Sequence, residues 1–162
     1  MKSYSNKLQN YTHEQIGFKP SPTEWSLGQV YDHCIVVAHE YCDAADECLA
    51  GSGELQTGKT KFGEELFERG CFLPIKITLP DEMNQAPDNS HTREELVIQL
   101  ETLTQRIEAL KGQIELAQPT LAVRHGGFGW LTAAEWLALV DMHFTHHLRQ
   151  LNTLETNWRS YR

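Results

Sequence analysis

With 162 residues the chain can bury a substantial core, and 1–162 reads as a single domain. Acidic residues outnumber basic ones by 22 to 14, leaving a formal charge of −8 with no basic run, so neither nucleic acid nor an anionic membrane surface is the expected partner. No apolar stretch is long enough to span a bilayer, and the opening MKSYSNKLQNYTHEQ lacks the hydrophobic core of a signal peptide, which points to a cytoplasmic protein. Four cysteines, Cys34, Cys42, Cys48 and Cys71, form no CxxC pair and are too few for a disulfide framework.

Residues 3 to about 16 can form a first helix with Leu8, Tyr11 and Ile16 inward, stopped by Lys19-Pro20-Ser21-Pro22. Ser26 and Gln29 then make a capping box, and Trp25 before it can staple onto Val30. The second helix runs from Ser26 to about Leu49, ended by Gly51 and Gly53. Its inward stripe reads Val30, His33, Val37, Tyr41, Ala44 and Cys48, with a histidine at a core position. His39 falls on a different face.

Residues 52–89 carry Gly58, Gly63, Gly70, Pro74, Pro80 and Pro87, which interrupt any long element. Lys61 to Arg69 can form a helical turn or two, and Phe72 to Pro80 can lie extended. A connection this long within one domain suggests a lid or a crossover. Phe62, Phe67 and Phe72 on it are candidates for a pocket wall. Thr92 and Glu95 open a third long helix whose Leu96, Leu100, Leu103, Ile107, Leu110 and Ile114 keep the four-three rhythm without a histidine, and Pro119 ends it at the latest. Arg124-His-Gly-Gly-Phe-Gly-Trp reads as a glycine-rich turn with no strand before it, and lacks the Lys-Ser/Thr ending of a phosphate loop. His125 is then a loop residue.

The last helix, Thr132 to Trp158, starts at a capping box of Thr132 and Glu135, with Leu131 placed to staple onto Trp136. Its stripe runs Trp136, Val140, His143, His147, Leu151 or Gln150, Leu154 and Trp158. Two histidines occupy positions where leucines are expected. At i and i+4 their imidazoles project from one face and can converge on one ion, whereas single core histidines are commonly held by hydrogen bonds alone. A His143/His146 pair at i and i+3 is the other pairing that the helix allows. Four helices with one long connection between the second and third describe an all-α four-helix bundle with a crossover. Metal sites in such bundles are built from facing helices, which makes His33, His143 and His147 the candidate metal ligands.

TEWSLGQVYDH, with a histidine eight residues after its tryptophan, and GWLTAAEWLALVDMHFTHHLRQ together resemble the DinB-like superfamily over essentially the whole chain. The resemblance implies a four-helix bundle with a long crossover, commonly dimeric, and a metal held by one histidine of the second helix and two of the last. Those positions are His33, His143 and His147 here. It also implies chemistry of the kind found in relatives that transfer low-molecular-weight thiols or isomerise maleylpyruvate, although many members have no known activity.

Three neutral imidazoles on a divalent ion leave a coordination position open, and they suit zinc or nickel first, with iron and copper also within reach. Such an ion acidifies water or a thiol, so one site supports two reaction classes. The expected function is a thiol-dependent S-transferase acting on small electrophiles, with a metal-dependent hydrolase or a non-catalytic metal-stabilised bundle as alternatives. Asp32, Glu40, Asp141 and Gln150 are the candidates for holding the ligand rings in place.

Overall fold

Side-chain caps decide where the helices start. In a computed structural model, which describes residues 1–55, 58–73, 86–116 and 121–161, the chain is predominantly helical, with α1 Lys2–Leu8, α2 His13–Gly17, α3 Leu27–Leu49, α4 Lys61–Arg69, α5 Arg93–Leu116 and α6 Ala133–Tyr161. Ser26 accepts from the Gln29 N–H while the Gln29 side chain accepts from the Ser26 N–H, closing the box expected at the start of α3. Thr92 with Glu95 and Thr132 with Glu135 repeat it before α5 and α6. Each satisfies two N–H groups that a helix start otherwise leaves unpaired.

The first expected helix is two. α1 stops at Leu8, and Thr12 with Gln15 forms a capping box that starts α2. The sequence Thr12-His-Glu-Gln15 carries that signal, and the apolar rhythm of Leu8, Tyr11 and Ile16 masked it by continuing across the break. All three apolar residues are buried nonetheless.

α3 packs along α6 and α5, and the smaller α1 and α2 contact α5 and α3. Having neighbours on two sides turns α3 relative to its expected stripe. Its deepest line is Cys34, Ala38, Cys42 and Ala45, at most 1% exposed, whereas His33, Val37, Tyr41 and Ala44 are half-buried on the flank. Small side chains on the deep line let the helix axes approach. α5 buries Leu96, Leu100, Leu103, Ile107 and Leu110 as its rhythm predicted. α4 is the expected short helix, capped by Thr60 and closed by Gly70 in the left-handed conformation. The extended run proposed from Phe72 to Pro80 and the stop at Pro119 lie outside the described residues, except for Phe72 and Leu73.

A hairpin replaces the expected glycine-rich turn. β1, Ala122–His125, pairs antiparallel with β2, Gly129–Thr132, in the register Ala122 to Thr132 and His125 to Gly129. Four residues per strand are too few for an alternation to register in sequence. Glu54 and Lys59 bridge to Ala122 and Gly129, fastening the α3–α4 connection to the hairpin. Gly129 has φ +86°, and a Cβ there would stand 2.7 Å from the Gly58 carbonyl oxygen, so both its conformation and its neighbour require glycine. At Gly63 a Cβ would lie 2.3 Å from the Phe128 carbonyl oxygen, which seats α4 on the hairpin turn. Among the described residues no helix is long and apolar enough to cross a membrane.

Candidate metal centre

The α3–α6 contact places His33 opposite His143 and His147. His33 stands two turns into α3, and the other two are one turn apart on α6. Each offers a ring nitrogen, and these three atoms all lie within 4.8 Å of one another. The ring centroids are 4.9 Å apart for His33 and His143, 4.8 Å for His33 and His147, and 4.6 Å for His143 and His147. His33 Nε2 comes within 3.1 Å of His143 Nε2.

Burial keeps all three rings uncharged. It lowers the His33 pKa to about 4, with the neighbouring His147 and His146 adding to the effect. His143 is pushed well below the usual imidazole value, first by burial and then by the other histidines. His147 is lowered by burial, against the opposing hydrogen bond to Gln150. At neutral pH each ring therefore keeps one nitrogen lone pair for a ligand beside its single N–H.

Gln150, one turn on from His147, supports this ring. Its Oε1 lies 2.9 Å from His147 Nδ1, which makes Nδ1 the protonated nitrogen and leaves the Nε2 lone pair free. His143 Nδ1 is buried without a partner among the described residues, so its contact with His33 accounts for only one of its two nitrogens. Three neutral nitrogen donors of suitable softness fit a divalent transition ion.

The family model for the DinB superfamily matches residues 3–151. The chain belongs to the DinB superfamily. Uncharacterized protein YuaE of Bacillus subtilis (strain 168) is 25% identical over 154 residues, 93% of this chain and 89% of that protein. No solved structure matches significantly.

Around the cluster of this DinB-superfamily chain, the expected supporting residues part ways. Asp32 turns away from the rings: its Oδ2 accepts from the Asp88 N–H at 2.9 Å and its Oδ1 lies 3.2 Å from His91 Nε2. Glu40 and Asp141 are exposed. Of the three phenylalanines only Phe72 reaches the site, 6.4 Å from His143 and 5.7 Å from His146. Phe62 is half exposed against Phe128, and Phe67 lies under Lys59. His146 sits outside the three-histidine group, its ring 5.1 Å from His147 and its Nδ1 unpartnered. His39 pairs with Arg106, and His125 Nδ1 accepts the Gly127 and Phe128 N–H groups in the hairpin turn.

Sequence reasoning missed the part Trp25 plays. Its ring stands 5.0 Å from His33 and lies nearly parallel to His147 at 6.3 Å, forming a wall over two of the three rings. The available signal was its place immediately before the cap of the helix that carries His33, and that signal reads equally well as a staple.

Proposed function

We propose that the chain is a metal-dependent enzyme in which His33, His143 and His147 hold one divalent transition ion, zinc or nickel, with iron a further fit to the same ligands. The scaffold in this reading is a four-helix bundle of α1 with α2, α3, α5 and α6, crossing over between α3 and α5. The observation that carries it is the convergence of three uncharged imidazoles from two helices within 4.8 Å. An ion held there supplies Lewis acidity, which lowers the pKa of a thiol or of water.

The chain's own residues set the rest. Gln150 fixes the His147 tautomer, Trp25 covers the His33 and His147 rings, and Phe72 limits water on the His143 side. We take the reaction to be transfer of a low-molecular-weight thiol to a small electrophile. The same ion would bring bound water to a pKa of roughly 7 without a protein base, so the ligand set by itself admits hydrolysis as well, and thiol transfer is preferred on the resemblance to relatives that transfer low-molecular-weight thiols. A thiol starts far closer to its anion.

The test is elemental analysis of untagged protein purified without chelator, beside a His143→Ala/His147→Ala variant. About one equivalent of ion in the wild type and little in the variant is expected for a three-histidine site, followed by metal-dependent consumption of a thiol in a screen of electrophiles. A wild type that is metal-free and takes up neither zinc nor nickel would overturn the reading.

A further inference from the structure

Among the described residues, three buried ring nitrogens on α6 have no hydrogen-bond partner: Trp136 Nε1, His143 Nδ1 and His146 Nδ1. At i, i+7 and i+10 they fall within about 80° of one another around the helix. Trp136 and His143 are themselves 5% and 9% exposed. A buried polar group left unpaired loses its hydration with nothing in return. Three of them on one side of one helix, beside the candidate metal centre, call for a partner that none of the described residues supplies.

The surroundings are flat and π-rich. Tyr41 stands between Trp136 at 5.5 Å and His143 at 6.1 Å, and Phe72 between His143 at 6.4 Å and His146 at 5.7 Å. Hydrogen-bond chemistry then narrows the ligand. An indole nitrogen only donates. When His143 Nε2 offers its lone pair to the cluster, its Nδ1 carries the proton and donates as well. A molecule held here brings acceptors, and the ring walls favour a planar π-system over a flexible polar chain.

We propose that the Trp136–His143 side of α6, walled by Tyr41 and Phe72, binds a planar conjugated compound carrying carbonyl-type acceptors, one taken by Trp136 and another by His143 near the metal centre. This names a substrate class for the proposed function and rests on that reading for the His143 tautomer, whereas the Trp136 donor is independent of it.

The probe is 1,4-diacetylbenzene, a ring with a carbonyl at each end. Its controls are p-xylene, which keeps the ring without acceptors, and hexane-2,5-dione, which keeps the acceptors without a ring. Each is titrated into the ¹⁵N-labelled full chain, with and without zinc, following the four indole N–H resonances. These are assigned by single Trp→Phe variants at positions 25, 130, 136 and 158. The diketone with the ring is expected to move the Trp136 resonance, at concentrations where neither control does. Trp136→Phe keeps the ring and removes the donor, and should weaken binding about fivefold, the size of one net hydrogen bond. Should that variant fail to fold, Tyr41→Leu tests the wall by the same titration and should also weaken binding. An unmoved Trp136 resonance, equal binding of p-xylene, or undiminished affinity in both variants would overturn the proposal. Failure to take up zinc, with the resonance still moving, would overturn the metal reading and leave this one standing.

Discussion

Among the described residues, Gln150 is the one outside the three-histidine cluster that hydrogen-bonds a ring within it, and its expected effect on affinity for the proposed ion follows from that contact. Removing the partner of a ligating imidazole frees its tautomer and orientation, which typically lowers metal affinity 10–100-fold. A neutral amide belongs at the lower end of that range, so Gln150→Ala should weaken zinc binding by about tenfold, read by competition with a chromophoric chelator. Unchanged affinity would mean that packing alone orients His147. At this scale the sequence was informative because periodicity isolates residues that break a pattern: His143 and His147 interrupt an apolar stripe. It was less informative for His33. The stripe drawn through His33, Val37 and Tyr41 is the half-buried flank of α3, and its deep line is Cys34, Ala38, Cys42 and Ala45. Which of Asp32, Glu40, Asp141 and Gln150 meets a ring was beyond any pattern, since Asp32 is drawn off by a backbone N–H 56 residues away.

Among the elements, the long helices announce themselves through capping boxes and four-three spacing, because both signals lie within a few residues of chain. The hairpin does not, because it depends on contacts that sequence order hides, and the α1–α2 break carries its own capping box but is masked by an apolar rhythm that runs on across it. Gly129 shows the difference. Its neighbours on the α3–α4 connection, Gly58, Lys59 and Thr60, come from 70 positions upstream and close over the backbone with no room for a Cβ. The Trp130 N–H donates to the Gly58 carbonyl, and the Thr60 N–H donates to that of Phe128. Gly129→Ala would combine a disfavoured positive φ with overlap against fixed backbone, and should destabilise the protein by about 2–4 kcal/mol. Urea unfolding measures this directly. A loss below about 1 kcal/mol, no more than a mild Gly→Ala conformational effect, would show that the α3–α4 connection is not fastened there.

On the scale of the molecule, α6 is the strut to which the rest is tied, midway along its length through the histidines and near its C-terminal end through Glu155. Burial alone would raise the Glu155 pKa, but hydrogen bonds from Lys7 and from the Tyr11 hydroxyl at 2.5 Å outweigh it and hold the carboxyl below its ordinary value of 4.5. With a folded pKa below the unfolded one, the unfolded chain binds more protons between the two. The contribution to stability is therefore complete above the unfolded value and lost as pH falls through the folded one. The difference in urea midpoint between wild type and Glu155→Gln should be widest near neutrality and shrink as the pH drops below 4.5. A difference that stays constant with pH would mean that Glu155 contributes by packing.

Midway along α6, the proposed ion would join α3 to α6 and make stability depend on its concentration. Zinc at about 100 times its dissociation constant should add roughly 2.7 kcal/mol, seen as a raised melting temperature that a chelator reverses. His33→Leu separates a metal-binding role from simple packing. Without metal, the wild type keeps a partly desolvated imidazole at position 33 whose pKa is lowered to about 4. Replacing it with leucine should leave metal-free stability unchanged or raised, since the flank of α3 beside Trp25 accepts an apolar side chain. The same variant should gain nothing from zinc. If instead His33→Leu destabilises the metal-free protein and zinc still raises its melting temperature, then His33 serves the α3–α6 interface through its contact with His143, and the ion is bound elsewhere.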